Sequence, residues 1–232
     1  MPRMTDGIFI ALLLVLAGYL YSQGQRRPTD PLTGRLPLSV AGPVQAFERG
    51  GGPNLVSPVA FVDGGRWRWY RVAIAAGAAV APDGSKTADR LVETSDFGRH
   101  RIATVVPGVT AGGVYTLSIY AKAAGRMAMQ FEMRGRGPGE YGIVQFNLND
   151  EAATYAGGLV SDVGVQALPD GWFRLWAAMP YSGDTAGLNL ALLREHGAVA
   201  YRGSSSAGLL IWGVQFEPGD RPRGYAESRA AQ

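Results

Sequence analysis

The sequence predicts an all-β domain, an antiparallel β-sandwich, over residues 54–232. Three observations predict it. Apolar and polar residues alternate with period two in a series of short runs. Beyond residue 54 no stretch shows a helical period. Turn formers are dense, with 33 glycines and 14 prolines in 232 residues, which suits many short strands better than long helices. With 47% hydrophobic and 18% charged residues, the chain can bury a sizeable core and is not globally disordered.

Residues 1–25 read as an N-terminal hydrophobic membrane-anchor helix. The stretch "GIFIALLLVLAGYLYSQGQ" (7–25) carries no charge, and 19 helical residues cover roughly 28 Å, close to a bilayer core. Tyr19 and Tyr21 stand where an interfacial aromatic belt would. A cleaved signal peptide is the rival reading. Against it, only Arg3 precedes the run, Asp6 offsets that charge, and no clear A-x-A site follows. Arg26 and Arg27 follow the run, so a strict positive-inside count would keep the rest of the chain cytoplasmic; topology stays open.

Residues 26–53 hold Pro28, Pro31, Pro37, Pro43 and Pro53, with Gly50 to Gly52. This density of breakers predicts a Pro/Gly-rich, semi-extended stalk.

The strands follow. "VYTLSIYAKA" sets Leu117, Ile119 and Ala121 against Thr116, Ser118, Tyr120 and Lys122. "RMAMQFEMR" sets Met127, Met129, Phe131 and Met133 against Arg126, Gln130, Glu132 and Arg134. "GIVQFNLND" sets Val144, Phe146 and Leu148 against Gln145, Asn147 and Asn149. "GWFRLWAAM", "LNLALL" and "GLLIWGVQFE" supply further strands. "PDG" at 82–84, "GRGPG" at 135–139 and "PDG" at 169–171 mark turns.

Bulk chemistry excludes several functions. The net charge of +3, with no run of five basic residues, argues against nucleic acid. The absence of cysteine excludes disulfides, cysteine-ligated zinc, iron–sulfur clusters, thiol catalysis and a lipoprotein anchor.

Several pieces in order resemble a carbohydrate-binding-module-like jelly roll of phage head-spike, head-fibre and tail-fibre proteins. They are "NLVSPVAF" (54–61), Trp67, "RVAIAAGAAVAPDGSKTADRLVET" (71–94) and "GRHRI" (98–102), then "VTAGGVYTLSIYAKA" (109–123), "DGWFRLWAAM" (170–179) and "LLIWGVQFEPGDRPRGYAES" (209–228). The resemblance spans about residues 54–228 and rests on order and spacing. It implies a two-sheet jelly roll, no catalysis, and glycan recognition at a cell surface. The anchor-like N-terminus departs from most of that family.

Other chemistry finds weaker support. Gly137-x-Gly139-x-x-Gly142 matches a dinucleotide fingerprint on paper, but "IVQFNLND" follows, a strand where a helix is required. That string predicts a glycine-rich hairpin loop. His100 and His196 lie about 100 residues apart without a ligand set, which favours framework or surface roles over a zinc or catalytic site. Glu132, Glu140, Asp150 and Glu151 could supply a hydrolase's carboxylate pair, yet no spacing fixes two of them across a groove. Neither a catalytic residue nor a metal ligand is assigned. No cofactor is expected. A structural calcium, common in jelly-roll carbohydrate modules, finds no adjacent acids in the last strand, where Gly213 and Val214 stand instead.

A glycan site survives this sorting. Sugars are held by aromatic faces and planar polar groups, and Gln130, Glu132, Arg134, Gln145 and Asn147 come from two neighbouring runs, with Tyr141 and Tyr155 nearby. The competing reading is the ordinary solvated side of a sheet. In "GGRWRWYRV" (64–72) the resemblance makes Trp67 framework, five residues before Val72. Trp69 is then a candidate ligand contact with Arg66 and Arg68. Trp67 and Val72 differ in parity, so a bend or bulge must separate them if both point inward.

Together these give a non-enzymatic glycan-binding adhesion module of a phage virion spike or fibre. Its expected partners are a cell-surface polysaccharide, a membrane through residues 7–25, other virion proteins and further copies of itself. It would sit in the virion, membrane-associated, or in a bacterial host as a single-pass membrane protein. The alternative is a structural virion decoration protein that docks on capsid or membrane and binds no sugar.

Overall fold

A computed structural model describes residues 54–56, 67–194 and 197–225. The anticipated N-terminal helix and stalk lie outside these residues. Among the described residues no helix is long and apolar enough to cross a membrane.

The described chain is all-β, as the period-two runs require, with a short 3-10 turn at Pro169–Gly171 where the second "PDG" stands. In chain order the strands are β1 (Arg68–Tyr70), β2 (Val72–Ala79), β3 (Ala88–Glu93), β4 (Phe97–Gly98), β5 (Arg101–Pro107), β6 (Val114–Ala124) and β7 (Ala128–Arg134). There follow β8 (Tyr141–Asn147), β9 (Ala152–Gly158), β10 (Asp162–Ala167), β11 (Trp172–Pro180), β12 (Thr185–Leu193), β13 (Tyr201–Arg202) and β14 (Gly208–Pro218). A first antiparallel sheet runs β1-β5-β12-β7-β8-β9 and a second runs β10-β11-β6-β14-β3-β2. A small β13–β4 ladder closes one side.

The core lies between the sheets. Met129, Phe131, Met133, Val144, Phe146, Leu188 and Leu190 from the first sheet meet Leu117, Ile119, Leu175, Ile211 and Phe216 from the second. Phe131 and Phe146 pack edge to face at 4.8 Å, a favoured aromatic geometry. Met127 departs from expectation. It precedes β7, two residues after Gly125 with φ 96°, and is 53% exposed, so the alternation that places Met129 inward does not reach it.

The polar side of β6 is not a wet face. Thr116, Ser118 and Tyr120 are buried, because a second apolar cluster sits on the outer side of that sheet. There Tyr120, Trp172 and Trp212 pack with Tyr225 of the chain that follows β14, with Trp212 and Tyr225 at 4.4 Å. The pairing of β14 with β6 slips by one residue between Trp212 and Gln215, so both side chains keep the same face. Gly213 makes this bulge with φ 59°, and a Cβ there would lie 3.0 Å from the Tyr120 ring.

Trp67 is buried in the main core, as is Val72. The bend between them is Arg71, a non-glycine residue at φ 54°, where the chain leaves the first sheet and enters the second. Its carbonyl accepts from Thr94 N at 2.9 Å and faces His100 Nδ1 at 2.7 Å. The other ring nitrogen of His100 faces the Tyr201 carbonyl at 3.2 Å. His100 is therefore a fully buried framework residue holding the sheet-switching corner.

Candidate functional site

The outer face of the first sheet gathers most of the polar side chains singled out above. Register fixes two rows across the strands. One runs Tyr70, Arg101, Ala191, Gln130, Gln145, Tyr155, and the other runs Arg68, Ala103, Asn189, Glu132, Ile143, Gly157. Arg134 opposite Tyr141 and Asn147 opposite Ala128 extend the face along the strands. Alternation explains the placement. On β7 and β8 the inward residues are fully buried methionines, Val144 and phenylalanines, so every second residue is forced outward.

The face is a furrow. Ala191, Gln130 (4% exposed) and Glu132 (3% exposed) make the floor, flanked by Tyr70 at 37% and Tyr155 at 41%. Five strand spacings separate the two tyrosines, about 24 Å along the sheet. Small residues in β5, β12 and β9 (Ala103, Gly187, Ala191 and Gly157) keep the middle low. At one end, beyond Gln145 and Asn147, an open cleft of about 860 Å³ is bordered by Arg126, Met127, Asp150 and Arg194.

Hydrogen bonds hold the floor rigid. Gln145 Nε2 donates to Gln130 Oε1 at 3.0 Å, leaving the Gln130 amide hydrogens and the Gln145 carbonyl oxygen pointed elsewhere. Arg101 Nη1 donates to Asn189 Oδ1 at 3.0 Å, and its guanidinium sits 4.6 Å over the Tyr70 ring. Glu132 accepts from Arg99 Nη2 on one oxygen and Arg134 Nε on the other, both at 2.6 Å. Burial alone would raise the Glu132 carboxyl. The bonds from Arg134 and Arg99 outweigh it and hold the group below the usual carboxylate range.

Trp69 stands elsewhere. Its partner across the β1–β5 ladder is Ile102, a fully buried core residue, so Trp69 faces the sandwich side of an edge strand and is 41% exposed. Arg68 and Tyr70, its neighbours, take the furrow side. Tyr70 was hidden in the sequence because parity could not be carried across the bend at Arg71. Arg66 lies outside the described residues. Trp69→Ala is expected to cost about 1–2 kcal/mol of stability, read as a lowered urea midpoint, because its partial burial is lost.

The four carboxylates weighed for hydrolysis sit in separate local settings. Glu132 is neutralised between two arginines. Glu140 is a loop clamp that accepts from Gly137 N (2.7 Å), Ser182 Oγ (2.8 Å) and Ser182 N, tying the "GRGPG" hairpin loop to the β11–β12 connection. Burial opposes ionisation there too, but these bonds, led by Ser182 N, pull the group below its ordinary value. Asp150 accepts from Asn147 Nδ2 at 2.7 Å in the exposed β8–β9 turn, which Glu151 continues at φ 51°. Glu140→Gln is expected to lower stability by about 1–2 kcal/mol in thermal unfolding, since an amide keeps one acceptor of two. Among the described residues no three His, Asp or Glu side chains are placed to hold a metal. His196 falls outside them.

No protein-family model and no curated protein sequence matches the chain. Among solved structures it is similar to the enzymatically active domain of tailspike protein 4 from bacteriophage CBA120. Identity is 12% and the TM-score 0.44, over 71% of this chain and 21% of that one. It is also similar to the carbohydrate-binding module TmCBM61, solved with β-1,4-galactotriose, at 9% identity and a TM-score of 0.45, over 72% of this chain and 100% of that one. A third is TmCBM27, a carbohydrate-binding module described for mannan recognition, at 10% identity and a TM-score of 0.34, over 73% of this chain and 95% of that one.

Proposed function

We propose that this protein is a non-enzymatic glycan-binding module and that the furrow on the first sheet is its binding surface. The observation that carries this is the furrow itself: hydrogen-bonded planar groups, with Gln130 and Glu132 buried and Gln145 and Asn189 half-buried beside them, between two exposed tyrosines. Flat polar groups fixed in place read sugar hydroxyls at little entropic cost, while tyrosine faces pack on the C–H sides of the rings. Nothing in this arrangement needs a nucleophile or a titrating acid.

In this reading the two sheets form the jelly roll that the sequence resembles, and the module belongs to a virion spike or fibre. The uncharged run 7–25 would tether it to a membrane and the stalk 26–53 would hold it clear. Weak single sites would be multiplied by copy number, since linked sites gain affinity through effective concentration.

Affinity electrophoresis of the full chain against neutral and acidic bacterial polysaccharides tests the proposal. Retardation is expected, and Tyr155→Ala combined with Gln145→Ala should weaken it about tenfold or more, while the melting temperature falls by only a few degrees and the fold is retained. Absence of binding across the panel, together with retention on purified capsids, would select the decoration-protein alternative.

A further inference from the structure

This inference rests on the furrow being a glycan site and names the chemistry of the glycan. We propose that the furrow takes an anionic polysaccharide, whose carboxylate or sulfate groups pair with Arg101 and with the arginines around Glu132.

The reason is an imbalance of charge on one face. Arg68 is exposed and has no ion-pair partner among the described residues. Arg101 is held by an amide and an aromatic ring, with no ion-pair partner among the described residues. Arg99 and Arg134 share the single carboxylate of Glu132, one on each oxygen, and Arg99 Nε is buried without a hydrogen-bond partner. Four guanidinium groups therefore meet one carboxylate. Arg136 lies 3.6 Å from Asp184 past one end, and Arg194 and Asp150 both line the cleft at the other.

Guanidinium forks match carboxylate and sulfate in geometry, and such charge-assisted bonds are about twice as strong as neutral ones. A neutral glycan lying over Arg101 would strip water from a cation and return only hydroxyl contacts. An acidic glycan supplies the missing partner. The preference is thus written in what these arginines lack.

The test uses the full chain with polygalacturonate, dextran sulfate, neutral dextran and galactan, and oligo-dT. Arg101→Gln is compared with Arg202→Gln, an exposed arginine on β13 that removes the same charge away from the furrow. Binding to polygalacturonate or dextran sulfate should weaken about tenfold between 0.05 and 0.5 M salt, as screening requires. It should also weaken about tenfold in Arg101→Gln and hold in Arg202→Gln. Whichever acidic probe binds more tightly identifies carboxylate or sulfate as the recognised group. Binding confined to the neutral polymers, untouched by Arg101→Gln, overturns the anionic assignment and leaves the glycan reading standing. Equal losses in both arginine variants, or tighter binding to oligo-dT than to either acidic polymer, also overturn it. No polysaccharide binding of either kind overturns both.

Discussion

Glu93→Gln is expected to lower stability by about 3–5 kcal/mol, because it leaves a nearly buried arginine without its counter-charge. Glu93 ends β3 with its side chain fully buried. Arg126 approaches it as a fork, Nε to Oε1 at 2.6 Å and Nη2 to Oε2 at 2.9 Å. Tyr201 Oη donates at 2.6 Å and Ser204 N at 2.9 Å. One carboxylate thus fixes the β6–β7 turn, β13 and the segment before β14. Arg126 also lies over the Tyr201 ring at 5.5 Å. An amide can satisfy neither the fork nor the charge. Chemical denaturation should show a lowered midpoint, and the cleft beside the furrow should loosen with it, because Arg126 borders both. An unchanged midpoint would refute this assignment.

The same residue sets a pH dependence. Burial pushes Glu93 upward, but hydrogen bonds from Arg126, Tyr201 and Ser204 win and hold it below its ordinary value. A depressed folded value means the stabilisation is complete above the unfolded carboxyl's range and fades as pH falls through that range toward the folded value. Glu132 and Glu140 act in the same direction. Asp89 opposes them, since burial raises it despite its bond from Gly77 N. Stability should therefore drop below about pH 4.5, where unfolded glutamates protonate. The drop should be shallower in Glu93→Gln, which has already lost its share.

Much of the sandwich could be read from alternation because inward positions tolerate little but apolar side chains. Phe131, Val144 and Phe146 needed no more than their parity. The sheet-switching corner was half legible: opposite parity of Trp67 and Val72 demands a bend, but nothing local marks Arg71, a residue that rarely adopts positive φ. The buried polar side of β6 could not be foreseen. Thr116, Ser118 and Tyr120 look like a wet face until Tyr225, more than a hundred residues on, packs over Trp212 and Tyr120. For the furrow, parity brought Gln130, Glu132, Arg134, Gln145 and Asn147 to one face. It could not supply Arg101, Asn189 or Tyr70, whose membership depends on which strands become neighbours. The single carboxylate shared by Arg99 and Arg134 is likewise a product of topology.

That shared carboxylate links stability to binding, and Glu132→Gln should separate them. Glu132 is buried with Arg99 and Arg134 on its two oxygens, so removing its charge sets two cations side by side. Both arginines retain contact with solvent, which screens the repulsion. A loss of about 2–3 kcal/mol is expected in chemical denaturation, less than for Glu93. The binding face, however, gains positive charge. If its ligand is an acidic polymer, affinity for polygalacturonate at low salt should rise several-fold in the variant while the free protein becomes less stable. Ligand should then raise the variant's melting temperature more than the parent's, because binding to the folded state stabilises it by RT ln(1 + L/Kd), with L the free ligand concentration, which grows as Kd falls. A second change, Arg134→Gln in the Glu132→Gln background, should recover part of the stability and cancel the gain in affinity. If Glu132→Gln instead weakens acidic-polymer binding along with stability, the carboxylate is holding the arginines in the geometry that the ligand needs. Positioning would then outweigh charge.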